Sequence, residues 1–213
     1  MKYYWANPFK PGHREEVDDY VGYFWQDWET GGLKPSENAA CQVACAITGR
    51  EPEFKLLAYY CSYIRKPEGL TIEKEAIDVH GLTEEFLADK PEETLVAQVI
   101  QSMLLAYPGK LRYAGFRCGF DLGFADAVHR RTMIYAPYLI PSFDVYKEAK
   151  AKVDGKLLPI NPKWNQPSYK LTDILKVLFG IDDNGAHDAG WDIANTIRAA
   201  RTLYQMPELG IAA

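Results

Sequence analysis

The stretch Phe24-Trp25-Gln26-Asp27-Trp28-Glu29-Thr30-Gly31-Gly32-Leu33 decides how this chain is read. A strand-like aromatic run ends in two carboxylates two positions apart, followed by a pair of glycines. On a strand, side chains at i and i+2 leave the same face, about 6–7 Å apart along the chain. Asp27 and Glu29 therefore share one side, and Trp28 points to the other, where core packing is expected. Two carboxylates held that close repel each other unless they share a cation. Oxygen-rich sites of this kind suit magnesium or manganese.

Two further acids stand at comparable places. Asp121 lies where a strand-like segment, 110–116, gives way to a helical one, 120–131, which aims a carboxylate at a sheet edge. Asp192 belongs to the last helical segment, 189–206. His187 precedes it by five residues, which on a continuous helix is a rotation of about 140°. The histidine is therefore expected on the loop just ahead of that helix, reaching over the site that Asp192 lines. Four acids and one histidine from three segments match the needs of two-metal phosphodiester hydrolysis. A histidine titrating near neutral pH can take the proton of the attacking water.

The rest of the chain supplies a frame. Runs at 20–28, 39–49 and 54–64 have strand length and β-branched or aromatic content, and predict an antiparallel meander. Thr83 is placed as a helix N-cap. In 92–107, Leu95, Val96, Val99, Ile100, Met103 and Leu104 form a helical stripe that Pro108-Gly109 closes. Residues 132–168, rich in Pro, Tyr and Lys, read as a loop-rich insertion with one helical candidate at 144–152. Helices at 171–180 and 189–206 close the domain. Strands first, then strands mixed with helices, predict an α/β domain built on a mixed sheet. Residues 1–19 read as an N-terminal arm, 20–206 as the domain, and 207–213 as a short tail.

With 47% hydrophobic and 25% charged residues the composition is that of a soluble globular protein. No run approaches the roughly 20 apolar residues of a membrane helix, and the start does not resemble a signal peptide. A cytoplasmic protein without a membrane partner is expected. Cys41, Cys45, Cys61 and Cys118 follow no common zinc spacing and are expected as buried free thiols. The net charge of −5 disfavours a protein that coats duplexes by neutralising many phosphates. Nucleic acid would have to be handled through a small, metal-assisted site.

Residues 27–33, 75–91, 116–124 and 186–194 resemble, in order, the motifs of the DEDDh 3′→5′ exonuclease superfamily, the DnaQ-like exonucleases; the second of these is the loop after the first motif. The resemblance runs from about 20 to 205. Within it, 79–91 is similar to proofreading subunits of bacterial replicative polymerases, and 167–200 to the nuclease core of exonuclease I. It implies a ribonuclease-H-like fold, a mixed central β-sheet flanked by α-helices. It also implies a 3′→5′ exonuclease that uses two Mg²⁺ or Mn²⁺ ions to release nucleoside 5′-monophosphates from single-stranded 3′ ends, DNA foremost.

Carried over to these positions, Asp27 would be shared by both metals, Glu29 and Asp192 would complete one shell, and Asp121 would hold the second ion. His187 would be the general base. Thr30, Gly31 and Leu33 would border the terminal nucleotide, with the glycines giving its sugar room against backbone. His80 and Leu82 would contact the terminal bases, and Phe120 and Phe124 would pack beneath the site. Phe116-Arg117 stands where many members have His-Asn, which makes Arg117 a candidate phosphate contact. Trp164 and Tyr169, near a lysine pair, are weaker candidates for a strand-guiding surface. RNA 3′-end trimming uses the same five residues. A proofreading subunit docked on a DNA polymerase, or on another replication or repair protein, is the remaining alternative.

Overall fold

The computed structural model describes residues 20–107, 111–134, 141–182, 185 and 187–209. The arm at 1–19 and the tail beyond 209 lie outside the described residues. Strands β1 (Gly22–Thr30), β2 (Ala40–Thr48) and β3 (Leu56–Tyr63) form the expected antiparallel meander. On the other side of β1, β4 (Leu111–Gly115) and β5 (Pro141–Asp144) run parallel to it, giving the order β3-β2-β1-β4-β5. This is the mixed, helix-flanked sheet of a ribonuclease-H-like α/β fold.

The two central strands are buried on both faces, which is why β2 carries apolar residues at nearly every position instead of alternating. Tyr23, Trp25, Ala44 and Ala46 pack on one face under α5 (Val145–Lys152), α6 (Leu171–Phe179) and α7 (Ala189–Gln205). Phe24, Trp28, Val43, Cys45 and Ile47 pack on the other against α3 (Glu93–Leu105) and α4 (Gly119–Thr132). The α3 stripe buries Val96, Ile100 and Leu104, which recur every four residues. Between β3 and α3 lie α1 (Lys74–His80) and α2 (Glu84–Leu87), the latter capped by Thr83, whose hydroxyl accepts the Phe86 N–H at 3.2 Å.

Three features depart from the sequence expectations. Strand β1 runs to Thr30, two residues past the expected end at 28, so Glu29 lies on it together with Asp27. Because β4 pairs only with Gly22 to Trp25, the last residues of β1 have no strand neighbour on that side, and the sheet edge is notched there. The segment 132–168 contributes β5 to the main sheet, then α5, a 3₁₀ turn (Gly155–Leu157) and a small hairpin of β6 (Ile160–Asn161) and β7 (Gln166–Pro167). β5 is only four residues long and opens on a proline, tolerated because it is an edge strand. Of the four free thiols, Cys61 is exposed, because β3 is also an edge strand; the other three are buried. Among the described residues no helix is long and apolar enough to cross a membrane.

Candidate active site

The notch beside β1 is where the predicted acids meet. Asp27 and Glu29 leave one face of β1, opposite Ala44 and Gln42 of β2. Asp121 enters from the first turn of α4, and its Oδ1 accepts the Trp28 N–H at 3.1 Å. That N–H is one of those the short β4 leaves without a strand partner. A buried backbone donor left unpaired costs about 1–3 kcal/mol, so this bond fixes Asp121 at the strand end. Asp121 and Glu29 are 4% and 8% exposed.

The remaining members come from the start of α7. Asp188 caps the helix by accepting the Trp191 N–H at 2.9 Å, and Asp192 occupies the first turn. His187 lies on the preceding turn, as its spacing from Asp192 required, with φ 65°. Its backbone N–H donates to Asp192 Oδ2 at 3.1 Å. One donor atom each from Glu29, His187 and Asp192 lie within 4.8 Å of one another.

Gln42 was missed by sequence reasoning. It is buried on β2, where its Nε2 donates to Asp188 Oδ2 at 2.8 Å and its Oε1 accepts the Ala189 N–H at 3.2 Å. Both ends of one amide thus bolt α7 to the sheet beside Glu29. The available signal was a lone glutamine inside the apolar run 39–49. Gly190 completes the docking, since a Cβ there would lie 2.6 Å from Tyr59 Oη. Gln42→Leu should lower unfolding free energy in urea by about 2–4 kcal/mol, because it strands a buried donor and a cap carboxylate. An unchanged urea midpoint would count against the bolt.

Electrostatically the acids of β1 and α4 are strained. Burial, then the charges of Asp121, Asp192, Glu29 and Asp188, push the Asp27 carboxyl well above the usual carboxylate range. Glu29 is pushed up to about 7 by burial first, then by Asp192 and Asp188. Burial also raises Asp121, against the Trp28 hydrogen bond, which favours its charged form. Among the described residues no Lys or Arg pairs with Asp27, Glu29 or Asp121. Carboxylates and one imidazole are a donor set that fits hard divalent metal ions.

The expected substrate contacts fare differently. The Thr30 hydroxyl donates to the Gly32 carbonyl at 2.8 Å. A Cβ on Gly31 would lie 2.4 Å from the Thr71 carbonyl oxygen, and one on Gly32 would lie 2.5 Å from Asn38 Oδ1. The glycine pair therefore has a reason inside the protein, the close approach of its own loops, apart from any room for a sugar. Gly31→Ala should cost about 2 kcal/mol or more in a thermal or urea melt, since backbone must move to admit it.

His80 spends both ring nitrogens on the fold. Nδ1 accepts the Leu82 N–H at 2.9 Å, which leaves the proton on Nε2 to donate to the Thr30 carbonyl at 3.1 Å. Burial lowers its pKa and keeps it neutral. Leu82 is buried with Ala39, Cys41 and Leu87, so its side chain serves packing rather than base contact. Phe124 packs beneath the site as expected, but Phe120 is exposed beside it, at a ring separation of 5.2 Å. Leu33 is 80% exposed. Arg117 is also exposed and lies over the Tyr146 ring, 4.4 Å from its centroid.

The family model for exonucleases of the RNase_T type matches residues 24–200. No curated protein matches the sequence. Among solved structures the chain is similar to E. coli exonuclease I in complex with a dT13 oligonucleotide, at 23% identity and a TM-score of 0.73, covering 87% of this chain and 41% of that one. It is similar to a product-bound exonuclease I at 22% identity and a TM-score of 0.71, covering 88% and 44%. A zinc-bound complex of the E. coli enzyme with single-stranded DNA matches at 23% and 0.69, covering 85% and 40%. The chain thus spans less than half the length of these proteins, and at such identities the likeness establishes the fold.

Proposed function

The chain belongs to the exonuclease family whose model spans residues 24–200, and from that membership we propose that it is a metal-dependent 3′→5′ exonuclease acting on single-stranded DNA. The observation that carries the proposal is the arrival of acids from β1, α4 and α7 at one notch where no Lys or Arg neutralises Asp27, Glu29 or Asp121 among the described residues.

Asp27, Glu29, Asp121 and Asp192 would hold two Mg²⁺ or Mn²⁺ ions. When bound, such ions supply Lewis acidity that activates water and stabilises the departing oxygen. His187 accepts the proton of the attacking water on a ring nitrogen. Its exposed turn leaves the imidazole open to solvent, and its N–H bond to Asp192 Oδ2 sets the turn against the acids. Thr30 and Gly31 shape the end of β1, and the exposed Leu33 and the face of His80 border the terminal nucleotide. The exonuclease I structures that hold dT13 and dA16 support DNA as the substrate.

The test is digestion of 3′-labelled and 5′-labelled single-stranded DNA, duplex DNA and RNA, in Mg²⁺ or Mn²⁺ against EDTA. Mononucleotides released from 3′ ends of single strands, with EDTA stopping the reaction, are the expected result. Release from 5′ ends, or activity that survives EDTA, would overturn it. Faster cutting of RNA than of DNA would reassign the substrate.

A further inference from the structure

Outside the acid notch, one surface gathers unpaired cations beside aromatic rings. It begins at Phe116 and Arg117, in the turn after β4, crosses α5 and ends at Tyr169, just ahead of α6. The Arg117 guanidinium lies 4.4 Å from the Tyr146 centroid, and Lys150 Nζ lies 5.6 Å from Tyr146 and 6.0 Å from Tyr169. Phe116 meets Tyr146 edge-on at 5.9 Å, and Tyr146 meets Tyr169 edge-on at 6.4 Å. Tyr146 and Lys150 are one turn apart on α5 and so share a face.

What sets this surface apart is that its cations share a connected row of rings, whereas Arg50, Lys163 and Arg198 each lie over a single ring. Among the described residues Arg117, Lys147 and Lys150 make no ion pair. Lys152, on the same helix, is paired with Glu148 at 2.8 Å, and Arg131, Lys74 and Lys176 are likewise paired with acids elsewhere. In a chain of net charge −5, Arg117, Lys147 and Lys150 leave this patch three positive charges with no acid in an ion pair among the described residues.

The patch is also held in shape. Asp144 Oδ1 accepts both the Arg117 N–H and the Tyr146 N–H, each at 3.0 Å, so one oxygen fixes the turn and the helix start together. Arg117 has φ 55°, a left-handed backbone that a non-glycine residue adopts at a cost of about 1 kcal/mol or more. The Tyr169 hydroxyl donates to the Val153 carbonyl at 3.2 Å. Since β4 and β5 run parallel to β1, Arg117 and Tyr146 emerge at the same sheet edge as the acids.

We propose that this patch is the track for the single strand on the 5′ side of the terminal nucleotide. Bases lie against Tyr146 and Tyr169, and Arg117, Lys147 and Lys150 meet the phosphates. Alternating rings and cations are what a sequence-tolerant single-strand surface requires. The proposal rests on the exonuclease reading of the notch.

The test measures anisotropy of a 5′-fluorescein-labelled oligothymidylate of about 12 nucleotides in EDTA, with folding of each variant checked by circular dichroism. Tyr146→Ala should bind about 10-fold more weakly, as expected for one lost stacking partner, and Tyr146→Phe should bind like wild type. In Lys147→Gln/Lys150→Gln the slope of log Kd against log salt should shrink by about 1.4, or 0.7 per phosphate contact. With Mg²⁺ present, Tyr146→Ala should raise KM for the oligonucleotide while thymidine 5′-p-nitrophenyl phosphate, which fills only the terminal position, is cut as by wild type. Folded variants with wild-type affinity and salt slope would overturn the track while leaving the exonuclease intact. A wild-type chain that binds through these residues yet cuts neither substrate would overturn the exonuclease reading alone.

Discussion

Asp27→Asn should lower kcat on single-stranded DNA by on the order of 10³-fold or more, and should at the same time raise the melting temperature of the metal-free protein. Both effects have one origin. Asp27 faces the charges of Asp121, Asp192, Glu29 and Asp188 in a buried setting, so without a cation its ionised form opposes folding. Removing the charge relieves that repulsion and removes the donor about which the site is built.

Glu29 makes the effect measurable as a pH dependence. Its folded pKa of about 7 lies above its ordinary value of 4.5, so the folded state binds the proton more tightly than the unfolded chain does. Stability from this group is fully present below about 4.5 and is lost as pH rises through about 7. A shift of that size corresponds to about 3 kcal/mol. In EDTA, Glu29→Gln should match wild type at pH 5 and exceed it at pH 8, and Mn²⁺ at pH 8 should bring wild type back up. A gap between the two proteins that closes as pH rises would show the sign to be wrong.

The second large effect is expected at His187. His187→Ala should lose about 10²–10⁴-fold in kcat, the usual contribution of a positioned general base, while Mn²⁺ still raises the melting temperature. Because the residue has φ 65°, alanine also adds backbone strain, so His187→Asn is the cleaner variant, as asparagine tolerates that region. Equal losses in both variants assign the effect to the imidazole. A variant that no longer responds to Mn²⁺ would make His187 a metal ligand, which its position within 4.8 Å of Glu29 and Asp192 donors permits.

Much of this was legible in the chain. The i, i+2 spacing of Asp27 and Glu29, the burial of Trp28, the Val96–Ile100–Leu104 stripe and the non-helical position of His187 all follow from local periodicity, and local periodicity survives folding. What escaped depends on contacts between distant segments. Gln42 could not be assigned without knowing that α7 docks across β2. The committed nitrogens of His80, the buried side chain of Leu82 and the internal reason for Gly31 appear only once the loop at 71–82 lies against the end of β1. β5 is short, proline-led and at an edge, and carries too little pattern to announce itself. The helix expected at 144–152 is observed as α5, but without β5 nothing in the sequence tied its start to the main sheet.

The bond from Gln42 to Asp188 bridges a separation of 146 residues, and this bears on how the protein is made. A chain still being synthesised could pair β1, β2 and β3 early and present Asp27 and Glu29, but it would have neither Asp192 nor His187 until α7 emerged and locked onto β2. On the exonuclease reading, a nascent polypeptide should show no nuclease activity before α7 docks. Recovery of activity during refolding should then lag behind sheet formation and coincide with burial of Gln42.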